Sequence, residues 1–205
     1  MRKFERHCGI TVPLTMPNID TDVIMPKQFL KRIDREGLAE GVFHDVRRKD
    51  DGSLRDDFPL NQPRYKGASI IIGGRNFGCG SSREHAVWGM LQSGIRAVIA
   101  PSFAGIFFGN CEKNGLLAIA MDEERVEDLA NRVSNAVDPK LSIDILQCEI
   151  QVPDGEAISF DIEPVRRQIL LEGRDHIEVT LSKAAKIKDF ETSHARAFAY
   201  LVRRG

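Results

Sequence analysis

Apolar residues follow two rhythms along this chain. Ser69–Ile72 (SIII), Arg96–Ala100 with Val98 and Ile99, and Leu116–Ala120 are short, nearly unbroken apolar runs. Runs of that length and β-branched content predict strands buried on both faces. Between them the spacing becomes helical. Ala86, Val87, Met90 and Leu91 predict a helix from Ser81 to Gly94, and Phe103–Asn114 predicts a second helix stopped by Gly115. Asp122 predicts the cap of a third, with Glu123 and Glu124 in its first turn at the positive end of the helix dipole. Alternating strands and helices predict an α/β unit with parallel pairing.

After Pro139 the rhythm changes. Leu141, Ile143 and Ile145 alternate with polar residues, and so do Cys148, Ile150 and Val152. Such alternation predicts strands buried on one face. Ala157–Ile162 is one more candidate strand, and Phe4–Pro13 another. Beyond Pro164 the pattern turns helical: Ile187, Phe190, His194, Phe198 and Leu201 recur every three or four residues. That spacing predicts an amphipathic C-terminal helix with a packing or docking face. Arg47–Asp57 (RRKDDGSLRDD), of mixed charge, reads as an exposed, solvated loop. The whole is one compact domain, 1–205, with a helical extension over about 164–205.

Composition narrows the classes. A chain of 205 residues, 42% hydrophobic and 29% charged, is long enough for a real core and has a soluble, globular balance. Twenty-nine Lys and Arg against 30 Asp and Glu leave a net charge of −1, so no basic field exists for nucleic acid. The cysteines, at 8, 79, 111 and 148, form no C-x-x-C pair and read as reduced thiols. Met1–Ile10 has no apolar signal-peptide core, and the longest mostly apolar stretch, Ala97–Gly109, is too short to span a bilayer. The expectation is a cytoplasmic protein without membrane attachment.

Candidate chemistry concentrates in Gly73–Ala86 (GGRNFGCGSSREHA). Strand, flexible loop and helix start follow one another. Backbone N–H groups at a helix start are unpaired and favour an anion. Gly78 and Gly80 allow close backbone approach, and Arg75 and Arg83 add positive charge. The Gly-Lys-Ser/Thr ending of a Walker A loop is absent, and the dinucleotide G-x-G-x-x-G spacing is not met. A plainer reading stands beside the anion site: Ser81 with Glu84 three residues on makes a capping box, and the two readings are compatible. Glu84 and His85 read as structural supports. A second segment, Asn18–Ile24 (NIDTDVI), places Asp20 and Asp22 around Thr21, as a turn, an N-cap or an active-site acid. The five histidines show no metal-type pairing, so a metal site held by this chain alone is not expected.

These segments resemble a known family. GSSREHA at Gly80–Ala86, NIDTDVIMPKQFL at Asn18–Leu30 and IRAVIAPSFAGIFFGNCEKNGLL at Ile95–Leu117 are similar to the swivelling domain of the aconitase superfamily. Within it they most resemble the small-subunit family of bacterial 3-isopropylmalate dehydratases. The resemblance implies a three-layer β/β/α swivelling domain. It implies a separate large subunit carrying a 4Fe–4S cluster on three cysteines, and isopropylmalate as substrate; no cofactor is expected on this chain. By motif position it implies catalytic roles for Ser81 as base, Arg83 and Asp22, with Ser82 and Arg83 at the substrate's carboxylate; Gly80 and Arg75 join the substrate-binding set on the local reading of the glycine loop as an anion site. Phe29 and Leu30 suit an isopropyl group, while Lys27, Lys31 and Arg32 add charge to the same loop. The motifs specify the superfamily more sharply than the substrate, so a related hydro-lyase small subunit of citraconate/methylmalate or homoaconitate type stands as the alternative, and a non-catalytic anion-binding module as a third reading.

Overall fold

The computed structural model describes residues 1–30, 36–153, 155–174 and 176–198. Among the described residues, seven strands form one sheet in the order β4-β3-β2-β1-β5-β6-β7. They are β1 (Arg6–Leu14), β2 (Ile70–Gly73), β3 (Ala97–Ala100), β4 (Leu117–Ala120), β5 (Lys140–Asp144), β6 (Glu149–Gln151) and β7 (Ala157–Ser159). The helices are α1 (Thr21–Ile24), α2 (His44–Arg47), α3 (His85–Gln92), α4 (Gly105–Asn114), α5 (Glu123–Asn135), α6 (Pro164–Glu172), α7 (His176–Leu181) and α8 (Ala184–Ala197).

The two rhythms of the sequence become two kinds of pairing. β1 to β4 are parallel, with Ile70↔Ala97 and Ala97↔Leu117 in register. β5, β6 and β7 pair antiparallel. β1 joins the two halves by changing partner along its length. Arg6–Ile10 pairs antiparallel with β5, and Thr11–Leu14 pairs parallel with β2.

Alternation inside each strand sorts side chains into two cores. Ile71, Val98 and Ala118 point to the face covered by α3 and α4. Ile70, Ile72, Ala97, Ile99, Leu117 and Ile119 point the other way, where α5 and the inward residues Leu141, Ile143 and Ile150 of the antiparallel strands enclose them. An antiparallel layer, a parallel layer and a helical layer result, which is the β/β/α arrangement of the α/β class expected above. Each fully buried Ile or Val contributes about 1.5–3 kcal/mol relative to exposure, so these cores dominate the favourable side of folding.

Local details depart from the sequence reading at several ends. α3 begins at His85, not at Ser81; Glu84 occupies its N-cap, and no side chain caps it. The Ser81–Glu84 capping box is therefore not formed. Asp122 holds the N-cap position of α5, but its side chain makes no capping hydrogen bond. The last strand stops at Ser159, because Phe160 turns into the second core. Gly115 does stop α4, in the left-handed conformation (φ 78°).

The chain divides into two compact units, Met1–Gly173 and Arg174–Gly205. α6 belongs to the first: Glu163 accepts from the N–H groups of Val165 and Arg166, and Leu170 accepts from the N–H of Phe4 at 2.9 Å. In the second unit α8 carries the expected apolar row, with the Phe190 and Phe198 rings flanking His194 at 5.6 and 4.8 Å. Leu201, the last member of that row, lies outside the described residues.

Two measurements test this account of the fold. Gly78 has φ 76°, and a Cβ there would lie 2.1 Å from the buried Phe107 ring. Gly78→Ala should cost about 2–4 kcal/mol in urea unfolding, and an unchanged midpoint would contradict this packing. Asp144 closes the β5–β6 turn. Burial opposes its charge, but hydrogen bonds from the Arg6 side chain and the N–H groups of Gln147 and Leu146 outweigh that and hold its carboxyl below the ordinary value. A depressed folded-state value adds stability above the unfolded value of about 4, and this is lost as pH falls through the folded value. Asp144→Asn should therefore lower stability at pH 7 and flatten its decline between pH 5 and 2; a decline as steep as in the parent would count against the assignment.

Candidate functional site

Parallel pairing brings three strand ends to one edge of the sheet. β1 continues into residues 15–24, β2 into 74–84, and β3 into 101–104. These connections are stitched together by main-chain hydrogen bonds. The N–H of Asn18 donates to Arg75, that of Gly78 to Ile19 and that of Thr21 to Cys79, at 2.8, 2.7 and 2.8 Å. Asp20 and Cys79 form an isolated parallel bridge. Ser102 closes the third side: its carbonyl accepts from Phe77 N–H at 3.0 Å and its hydroxyl from Asn76 N–H at 2.9 Å.

The NIDTD segment resolves into separate tasks. Asp20 is the N-cap of α1, accepting from Val23 N–H at 2.6 Å. That leaves Asp22 free of a capping duty. Its carboxylate lies 3.6 Å from Arg83 Nη1 and 3.8 Å from Lys27 Nζ. Asp22 and Arg83 come from positions 61 residues apart, and their side chains are 42% and 41% exposed. Ion pairs this open to solvent contribute about 0–1 kcal/mol, so the pair is not what holds the loops together. It places the guanidinium beside the Asp22 carboxylate.

Ser81, Ser82 and Arg83 follow Gly80, whose φ of 93° turns the chain outward. Ser81 is half-buried, while Gly80, Ser82 and Arg83 are exposed. Because α3 starts only at His85, the positive groups beside Ser81 are not the first-turn amides of that helix. The Ser81 hydroxyl oxygen instead accepts from the N–H of Arg83, at 3.4 Å, with the Arg83 guanidinium on the same short segment. The loop is anchored from behind by the buried Asn110 of α4, whose Nδ2 donates to the Ser82 carbonyl at 3.2 Å.

The structure thus brings together Ser81, Ser82, Arg83, Gly80 and Asp22. Arg75 sits apart from them: its guanidinium is 3.5 Å from Glu123 at the start of α5. Phe29 and Leu30 follow α1 and lean on the core beside α3; the Phe29 ring lies 5.1 Å from the His44 ring and against the Gly41 backbone. Lys31 and Arg32 lie outside the described residues. Thr21 and Asn110 are parts of the site that sequence reasoning did not assign, whereas Lys27 lies in the loop where its charge was expected. For Thr21 and Asn110 the signal was absent, since only the fold shows which backbone groups they reach.

Burial pushes the Cys111 thiol far above its ordinary value, so it stays protonated and inert. Among the described residues no group of three or more His, Cys, Asp or Glu could hold a metal ion.

Comparison with known proteins finds relatives along the chain. Residues 1–124 match the aconitase C-terminal domain family. The "3-isopropylmalate dehydratase small subunit" of Paramagnetospirillum magneticum is 48% identical over 204 residues, 98% of this chain and 100% of that protein. That of Xanthobacter autotrophicus is 48% identical over 193 residues, 94% of this chain and 96% of its own. A crystal structure of a 3-isopropylmalate dehydratase from Methanocaldococcus jannaschii superposes with a TM-score of 0.64 at 29% identity, covering 90% of this chain and 99% of that one. With its loops joined at one sheet edge and its whole length matched, the chain belongs to the family of 3-isopropylmalate dehydratase small subunits, within the aconitase superfamily.

Proposed function

We infer that this chain is the small subunit of a hydro-lyase that converts 2-isopropylmalate to 3-isopropylmalate by removing and re-adding water, in leucine biosynthesis. A separate large subunit completes the enzyme, as the word "small" in the relatives' names implies. The observation that carries the reading is the convergence of Ser81, Arg83 and Asp22 on one outward-facing surface.

Dehydration of a hydroxy acid needs a base for a weakly acidic C–H and an electrophile for the departing hydroxyl. A 4Fe–4S cluster on the large subunit supplies that electrophile when bound. What this chain contributes is the base and the anion site. Ser81 Oγ, as an alkoxide, takes the proton from carbon. A free serine hydroxyl is far too weak an acid to ionise unaided. The Arg83 N–H and guanidinium supply positive potential, and covering the loop by the large subunit removes the water that now screens them. Charges 4 Å apart interact about four times more strongly at an effective dielectric of 20 than in water. Arg83 with Ser82 and the Gly80 backbone then holds a substrate carboxylate, a task suited to a guanidinium fork. Asp22 aims Arg83. Phe29 and Leu30 offer the apolar contact for an isopropyl group. Arg75 joins the same carboxylate only if its pair with Glu123 opens.

The location proposed is the cytoplasm. The four cysteines, all free thiols, support it, as reduced thiols suit that compartment.

Two substitutions test the reading in the complex with its large subunit. Ser81→Ala should lower kcat at least about 10³-fold and leave assembly intact; near-parental turnover removes Ser81 from the base role. Asp22→Asn should raise KM for isopropylmalate about tenfold through a misaimed Arg83. An unchanged KM would show that Arg83 is held in some other way. Turnover of citraconate or homoaconitate but not isopropylmalate would assign the chain to a sister hydro-lyase.

A further inference from the structure

Thr21 and Asn110 have no place in the chemistry proposed above, yet both reach the segment that bears it. Thr21 is buried, 4% exposed, at the first position of α1. Its hydroxyl makes two contacts with a single residue 60 positions away. Oγ1 accepts the N–H of Ser81 at 2.9 Å, and the same hydroxyl lies 3.4 Å from the Ser81 carbonyl, to which it donates. Its own N–H donates to the carbonyl of Cys79 at 2.8 Å. Thr21 therefore occupies both main-chain polar groups of Ser81 and one of Cys79. In effect its side chain prolongs the Asp20–Cys79 bridge by one step, where the backbones themselves have already diverged.

Asn110 acts from the opposite side. It is 6% exposed, and its Nδ2 donates to the Ser82 carbonyl at 3.2 Å. It is the end of a chain of amides: Trp88 Nε1 donates to Asn114 Oδ1 at 2.9 Å, and Asn114 Nδ2 to the Asn110 carbonyl at 2.8 Å. Between the two grips, the backbone of Ser81 and Ser82 is held by partners that lie in α1 and α4. The side chains of Ser81, Ser82 and Arg83 remain outward.

We propose that Thr21 is a positioning residue for catalysis, fixing the backbone of Ser81 so that its Oγ meets the substrate carbon, with Asn110 as the counter-anchor. The inference rests on Ser81 being the proton acceptor. Its physical basis is economy of donors and acceptors. A loop of glycine and serine has little side-chain bulk to lock it, and a backbone held by one short-range contact, Arg83 N–H to Ser81 Oγ, would drift. Misplacing a reacting atom by about 1 Å can cost 10²-fold in rate. Thr21 prevents that drift without touching substrate. Valine at 21 keeps the shape but removes both hydrogen bonds, leaving the Ser81 N–H and carbonyl without that partner. Serine keeps the hydroxyl.

The test uses the assembled complex with its large subunit and isopropylmalate as substrate. Thr21→Val should reduce kcat about 10–100-fold while KM changes less than about threefold, and Thr21→Ser should keep kcat within about threefold of the parent. In a Ser81→Ala background, Thr21→Val should produce no further loss, since its effect passes through Ser81. Asn110→Ala should show the same split in milder form. Parental kcat in Thr21→Val overturns the proposal. So does a loss of equal size in both backgrounds, which would mark Thr21 as a general support. If Thr21→Val does not co-elute with the large subunit, Thr21→Ala takes its place with the same expectations. The two readings fail separately. An active Ser81→Ala complex removes the base assignment, whereas an inactive Ser81→Ala beside a fully active Thr21→Val removes only the positioning role.

Discussion

The parallel register between β1 and β2 is the constraint on which the site depends. Leu14 stands opposite Gly73, so the two strands leave the sheet at the same level and on the same edge. Only then can residues 18–21 run beside 75–79 and exchange main-chain hydrogen bonds. A slip of one residue would exchange Ile71 with its neighbours between the two cores, which bury different partners on each face. The cores thus protect the register, and the register places Asp22 opposite Arg83. β1 can serve both halves of the sheet because it is long enough to spend Arg6–Ile10 on β5 and Thr11–Leu14 on β2.

Stability and chemistry are separated within the same loops. The buried or bonded parts, Asp20, Thr21, Asn110 and the backbone of Cys79, do the holding. The half-buried Asp22 and the exposed Ser82 and Arg83 are left with electrostatics that water weakens. An enzyme complete in itself would bury such a cluster in a cleft. Here the cluster faces outward, and its charges gain strength once another surface excludes solvent. The proposed two-subunit reading gives this arrangement a physical sense: the chain presents an anchored set of groups that water screens while they are open, and a large subunit covering them would supply the enclosure.

Much of the fold was legible because apolar spacing and burial are the same fact seen twice. The β-branched runs at 70–72 and 97–100 became central parallel strands, and the alternation at 141–145 and 150–152 became strands with one face on the core. The start of α3 was misread because Ser81 and Glu84 have the spacing of a capping box. The tertiary hydrogen bonds from Thr21 and Asn110 draw the Ser81–Ser82 backbone away from helical geometry, so the helix waits until His85. Arg75 shows the same limit. Its place in the glycine loop suggests an anion ligand, but the fold brings Glu123 to it.

By itself, the sequence determined the elements, the α/β class and the motif residues, because local spacing encodes periodicity and residue chemistry. It also determined family membership, through segments that run in order over most of the chain. Only the tertiary structure decided that Asp20 caps while Asp22 pairs with Arg83, that Thr21 grips Ser81, and that Arg75 stands apart. Apart from the local Asp20 cap, those outcomes depend on distances of a few ångströms between residues about 50 to 60 positions apart. No pattern along the chain carries such distances; the register of one pair of strands does.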